Sequence, residues 1–170
     1  MNIEIFWSMI EDSRQKSELN NEDQLGVLAS SLSQLPPQSI EEFDRLLWMM
    51  MARAYRADLW EAASLAACGC TDDGFDDFRG WLIAQGKTTY ERVLDDPDNL
   101  SDIVDKEERF NIFNGLTAIA QGVYERKTGH EISVSGYGEE VDLDRPLIPY
   151  NERSAKYPRI MAKLGDCADQ

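Results

Sequence analysis

The sequence predicts an all-α fold, a single domain of six or seven helices with a loop-rich carboxyl-terminal segment. Apolar residues recur at spacings of three and four through most of residues 3–127, which is the period of one helix face. Capping residues and helix-ending glycine or proline separate these stretches. At 170 residues and 42% apolar content, the chain is long enough to bury a core. We assign residues 1–129 to a helical domain and 130–170 to a loop-rich segment packed on it.

Four helices are expected before residue 70, and the fourth either continues the third or follows it as a short successor. The first covers residues 3–16, and a leucine repeat carries the second. Small residues in the fourth would allow close helix contact. The expected boundaries are a cap at Asn20 or Asn21, a stop at Pro36-Pro37, a capping box at Ser39-Ile40-Glu41-Glu42, and an end at Gly69.

An acidic helix follows, with both of its ends visible in the sequence. Thr71 is expected to cap its start, and Gly86 is expected to end it in a left-handed conformation. Its first turns carry Asp72, Asp73, Asp76 and Asp77. The helix dipole favours carboxylates there, but pairs of like charge four residues apart repel each other. Because this repulsion destabilises the helix, the four aspartates are expected to serve a purpose other than helix stability.

The rest of the chain contains fewer regular patterns. A short helix over residues 88–94 and a turn pinned by Leu100, Ile103 and Val104 precede a long helix expected over residues 107–127, which ends at Gly129. The later expectations are inward-facing Phe110 and Phe113, a brief strand at 131–135, a turn at Gly136-Tyr137-Gly138, and a last helical turn or two at 157–164.

Net charge restricts the classes of partner. The chain has 32 acidic and 17 basic residues, a formal net charge of −15. Between Thr71 and Glu108, twelve acids oppose four bases, a net charge of −8. Such a surface repels nucleic-acid phosphates and anionic lipids and attracts a basic protein. Acidity for solubility alone is the alternative.

Several chemistries are excluded by their missing motifs. The sequence has a single histidine, His130, and no nucleophile motif with which it could form a catalytic triad. No phosphate-binding glycine motif is present. Neither zinc spacing nor a calcium loop is found, so we expect no cofactor and no catalytic residue. No signal peptide or membrane span is recognised, which favours the cytoplasm. Cys68, Cys70 and Cys167 are accordingly expected to be reduced thiols.

A long motif runs from Leu59-Trp60-Glu61-Ala62-Ala63 through the acidic helix to Leu94-Asp95-Asp96-Pro97-Asp98-Asn99-Leu100. With it, the chain resembles a bacterial family known only as a domain of unknown function, number 4240. The resemblance covers roughly residues 1–128 well and the tail loosely, where Tyr157-Pro158-Arg159 also fits. The resemblance implies a mainly helical domain and no established activity. It directs interest to a set of motif residues as a shared site: Asp72, Asp73, Asp76, Phe78, Arg79 and Trp81. Arg79 is the one cation within the acidic run, and a role in tying the cluster together internally is an alternative to partner contact.

The leading functional hypothesis is a non-enzymatic protein that binds a basic partner, possible examples being immunity or inhibitor proteins. The expected partner-binding residues are Asp72, Asp73, Asp76, Asp77, Arg79 and Trp81, with Trp81 as an aromatic anchor beside carboxylates. The alternative is a metal-dependent enzyme or small-ligand binder at the same cluster, and a regulatory subunit is a third reading. The sequence leaves the partner's identity and the oligomeric state open.

Overall fold

A computed structural model describes residues 1–17, 21–104, 115–133 and 143–165. Within these residues the chain is all-α, as predicted, and no strand is found. The described residues form nine α-helices and one 3₁₀ helix, where the sequence predicted six or seven helices. They are α1 Ile3–Lys16, α2 Asn21–Ser33, α3 Pro37–Arg53, α4 Ala57–Ala66, α5 Asp72–Ala84, α6 Lys87–Asp95, the 3₁₀ helix Pro97–Asp102, α7 Leu116–Thr128, α8 Tyr150–Lys156 and α9 Pro158–Leu164.

The first helix has the predicted bounds, whereas the third starts earlier than expected. The Asn2 side chain caps α1 by accepting a hydrogen bond from the Ile5 amide at 2.9 Å. Helix α3 begins at Pro37 rather than at a capping box around Ser39. Proline suits the first helical position, where the missing N–H has no partner to lose. The expected cap Asn20 lies outside the described residues.

Two glycines set helix boundaries through backbone angles that favour glycine. Gly86 has φ 92° and ψ 164°, so the predicted left-handed end of α5 is wrong. Helix α5 ends at Ala84, and Gly86 instead turns the chain into α6. Gly115, with φ 115°, precedes α7, so the helix expected from residue 107 does not run unbroken to 127. Gly129 ends α7 in the left-handed conformation, as predicted.

The core is built around α3, which packs on α5, α7 and α1. Helix α2 packs on α1 and α7. Phe6 lies against Phe43 with ring centroids 5.0 Å apart, and Trp60 stacks on Phe75 at 4.7 Å. Leu100 and Val104 are buried, as the sequence predicted for the turn after α6. Phe110 and Phe113 lie outside the described residues.

The carboxyl-terminal segment is more regular than the sequence indicated. Helices α8 and α9 pack on α4, and α9 also contacts the 3₁₀ helix. Helix α8 lacks an apolar period because none of its residues is buried, so the sequence pattern missed it. Residues 131–133 form no strand. Val134, Ser135 and the predicted turn at 136–138 lie outside the described residues.

The cysteines differ from the expectation of three reduced thiols. Cys68 is disulfide-bonded, whereas Cys70 carries a free thiol. Cys68 is exposed just after α4 and has φ 58°, so its sulfur does not pack as a small apolar group in the core. Cys167 lies outside the described residues. In the part of the chain that the structure describes, no helix has both the length and the apolar content to cross a membrane.

Candidate functional site

The four aspartates of α5 lie around its first two turns. Thr71 caps the helix as predicted, its hydroxyl accepting a hydrogen bond from the Gly74 amide at 3.2 Å. Asp72, Asp73 and Asp76 are exposed, and Asp77 is half-buried. Partial burial raises the pKa of Asp77, and the neighbouring charges of Asp76 and Asp73 raise it further. The cluster is therefore a strongly negative, solvent-facing helix start.

Arg79, which was expected to contact a partner, faces the interior. Its side chain is 8% exposed and donates to the Met51 carbonyl at 2.7 Å. The guanidinium also pairs with Asp76 and lies over the Tyr55 ring, 4.8 Å from the centroid. These contacts tie α5 to the end of α3. Arg79 thus stabilises the site from below and is not part of its surface.

Trp81 is also buried, with 5% of its surface exposed. Its ring centroid lies 5.7 Å from that of Phe78, which is itself 1% exposed. The expectation of a Trp81 anchor beside the carboxylates is therefore wrong. The aromatic stripe of α5 continues to Trp81 because the helix lies deeper in the bundle than its acidic start suggests. Of the predicted site residues, only the four aspartates reach the surface, and Asp77 is half-buried.

Cys70 lies beside the cluster but is poorly suited to act as a nucleophile. Burial raises the pKa of its thiol to about 11, with further contributions from Asp77, Asp72 and Asp76. Since the thiolate is the reactive form, this thiol is unreactive at neutral pH.

Other acids of the acidic segment are used within the fold. Arg53 binds Glu91 through two hydrogen bonds of 2.6 and 2.7 Å. Arg92 and Arg159 both pair with Asp102 at 2.6 Å, and their hydrogen bonds lower the pKa of that carboxyl. Glu91 and Asp102 are therefore less available to a partner than the exposed Asp72 and Asp73 at the start of α5.

The sequence analysis missed a second acidic site, centred on Glu61 of α4. This side chain is completely buried and accepts hydrogen bonds from Arg145 at 2.6 and 3.0 Å. Lys156, the Tyr157 hydroxyl and the Ile148 amide also donate to it, at 2.7, 2.9 and 2.9 Å. Burial alone would raise the pKa of Glu61, but these hydrogen bonds outweigh it and lower the pKa to about 2.

One sequence feature could have drawn attention to Glu61. It is the only charged residue in the otherwise apolar or small stretch 59–67. A lone carboxylate in such a stretch requires partners if it is buried, because an unpaired buried charge is costly. The sequence does not identify those partners, which lie more than 80 residues further along the chain.

Two further buried polar side chains lie away from these sites. Asp44 of α3 is 5% exposed, and burial raises its pKa from 3.8 to about 6. Gln24 of α2 donates to the Ala84 carbonyl at 3.0 Å, while its side-chain oxygen has no partner in the described structure. An open cleft of about 720 Å³ lies between α1 and α2, beside Lys16 and Asp23. None of these groups belongs to the α5 cluster.

The described residues contain no group of three or more histidine, cysteine, aspartate or glutamate side chains placed to share a metal ion. Fold and site together define a helical domain with an exposed carboxylate cluster at one helix start and a buried, ion-paired glutamate. The chain belongs to the family described as Protein of unknown function (DUF4240), which it matches over residues 1–126. No curated protein and no solved structure matches the chain.

Proposed function

We propose that this protein is a non-enzymatic interaction protein that binds a basic partner through the carboxylates at the start of α5. One observation carries the proposal: Asp72 and Asp73 are exposed, and no described residue forms an ion pair with either. Glu91 and Asp102, in contrast, are held by arginines of the same chain. Asp72 and Asp73, two neighbouring exposed carboxylates with no cation among the described residues, are suited to a cation from another molecule.

A partner with a compact basic surface fits this geometry. The positive end of the α5 dipole lies at the aspartates and favours their ionised forms. Complementary charges speed association and select against acidic partners. An inhibitor or immunity protein acting on a basic toxic enzyme is the class we infer. The proposed compartment is the cytoplasm.

The test is a pull-down from the native host at low salt, read by mass spectrometry, with matched variants. Asp72→Asn/Asp73→Asn removes two exposed charges from the cluster, and Asp12→Asn/Glu125→Gln removes two exposed charges elsewhere. We expect wild type and the second variant to retain a basic protein that the first variant loses. Captured partners should dissociate as NaCl rises, because exposed charges are screened within about 8 Å at 0.15 M salt.

Two results would count against this proposal. One is equal retention of the partner by both variants. The other is a melting temperature that rises with Mg²⁺, Mn²⁺, Ca²⁺ or Zn²⁺ and returns with a chelator, which would favour the metal-dependent alternative.

A further inference from the structure

The Glu61 site binds one stretch of the carboxyl-terminal segment. Among the described residues, every hydrogen-bond donor to the Glu61 carboxylate lies in residues 145–157. The donors are the bidentate guanidinium of Arg145, the Lys156 ammonium, the Tyr157 hydroxyl and the Ile148 backbone amide. A carboxylate with no exposed surface but with donors from a single segment forms a specific pocket for that segment.

A second carboxylate binds the next few residues of the same segment. Asp98 of the 3₁₀ helix is buried and accepts the backbone amides of Arg159 and Ile160 at 3.0 and 2.9 Å. These amides belong to the first turn of α9, where backbone N–H groups have no hydrogen-bond acceptor within the helix. The Arg159 side chain reaches Asn99 at 2.5 Å and also pairs with Asp102.

Together these contacts resemble the recognition of a bound peptide. Glu61 and Asp98 accept hydrogen bonds from backbone amides, and these bonds fix the path of the segment. Glu61 and Asp102 pair with three basic side chains, and these pairs select the sequence of the segment: Arg145, Lys156 and Arg159. The side chains of Ile160 and Leu164 are buried in the hydrophobic core. Helices α8 and α9 have seven residues each, too few to be stable without the surface that they contact.

The receptor residues and the bound segment also fall on different sides of the family boundary. Glu61, Asp98 and Asp102 lie within the family match, which ends at residue 126, and the segment lies beyond it. We propose that α4 and the 3₁₀ helix form a binding site for a basic peptide with a Lys-Tyr-Pro-Arg core. Residues 145–164 occupy it in cis, and the same peptide binds in trans when the chain's own segment is weakened. This surface is separate from the α5 cluster of the proposed function.

The test uses the full chain and a fluorescein-labelled synthetic peptide of residues 143–165. The variant Arg145→Ala/Lys156→Ala weakens the chain's own segment but leaves Glu61 and Asp98 intact. We expect it to bind the peptide saturably in an anisotropy titration, at least about tenfold more tightly than wild type, whose tethered segment competes at high effective concentration. Adding Glu61→Gln to this variant should abolish the gain.

Three controls make the result decisive. A scrambled peptide of the same composition should not bind, and Lys16→Ala/Arg126→Ala, which removes two exposed cations elsewhere, should behave as wild type. Amide hydrogen exchange over 150–164 should quicken in the weakened variant. Slow exchange there, or fast exchange without peptide binding, would overturn the proposal. Lys156→Ala alone serves if the double variant does not fold, and an altered α5 cluster should leave peptide binding unchanged.

Discussion

At the scale of single residues, Asp44 is buried in the core, and none of the described cations pairs with it. Within the described part of the chain its carboxylate has neither a hydrogen-bond donor nor an ion-pair partner, and burial alone raises its pKa to about 6. The folded protein then binds a proton more tightly at Asp44 than the unfolded chain does. Folding stability at this site therefore falls as pH rises from about 3.8 to about 6.

We expect Asp44→Asn to stabilise the protein at pH 7 by roughly 1–2 kcal/mol, because the neutral amide avoids most of the cost of burying a charge. The gain should shrink as pH falls from 6 towards 4, where the native carboxyl is already protonated. Urea unfolding of both proteins at several pH values measures it. Asp12→Asn, an exposed change on α1, is the control and should show no such trend. A destabilised Asp44→Asn variant at pH 7 would contradict the prediction.

Residue-scale prediction from sequence succeeded where the interaction is local. The Thr71 cap involves an amide only three residues away, so the sequence contains both partners. Arg79 and Trp81 were misplaced because their exposure depends on how deeply α5 lies among its neighbours. Glu61 was missed because its donors are far along the chain.

At the scale of elements, the junction of α5 and α6 depends on Gly86. Its φ of 92° with ψ 164° belongs to a region that side chains rarely adopt. A Cβ at this position would also lie 3.3 Å from the Glu11 side chain of α1. Gly26 offers a contrast, because it lies inside α2 and a Cβ there would meet nothing within 4 Å.

Two glycine-to-alanine variants should therefore change stability in opposite directions. Gly86→Ala is expected to cost about 1–3 kcal/mol of unfolding free energy through backbone strain. Gly26→Ala should add about 0.5–1 kcal/mol, because alanine loses less conformational freedom than glycine on entering a helix. Denaturant unfolding of wild type and both variants measures these two changes in unfolding free energy. Equal effects would show that the Gly86 conformation is not required for the junction.

At the scale of the whole molecule, Glu61 joins the family domain to the carboxyl-terminal segment. Its pKa is lowered from 4.5 to about 2, so its ionised form is favoured in the folded protein. This contribution to stability is fully present above pH 4.5 and is lost as pH falls through the folded pKa, near 2. Acid should therefore weaken the attachment of the segment at this site.

We expect Glu61→Gln to destabilise the protein at pH 7 by about 3 kcal/mol, the lower end for removing one partner of a buried ion pair. The lower end applies because Arg145 and Lys156 are 34% and 38% exposed and keep part of their hydration. The difference from wild type should narrow as pH falls below about 4.5. Urea unfolding from pH 7 to 3 measures both effects, with Glu125→Gln as the exposed control. A difference that stayed constant across this range would rule out the low pKa.

The sequence by itself determined the all-α class, the bounds of α1, the Thr71 cap and the end of α7 at Gly129, because apolar period and capping depend on residues within a few positions. It also located the acidic cluster. Only the tertiary structure decided that Arg79 and Trp81 are buried, that α8 precedes the predicted last helical turns, and that Glu61 holds this segment. These outcomes depend on burial and on charge pairing between distant parts of the chain, which no local pattern encodes.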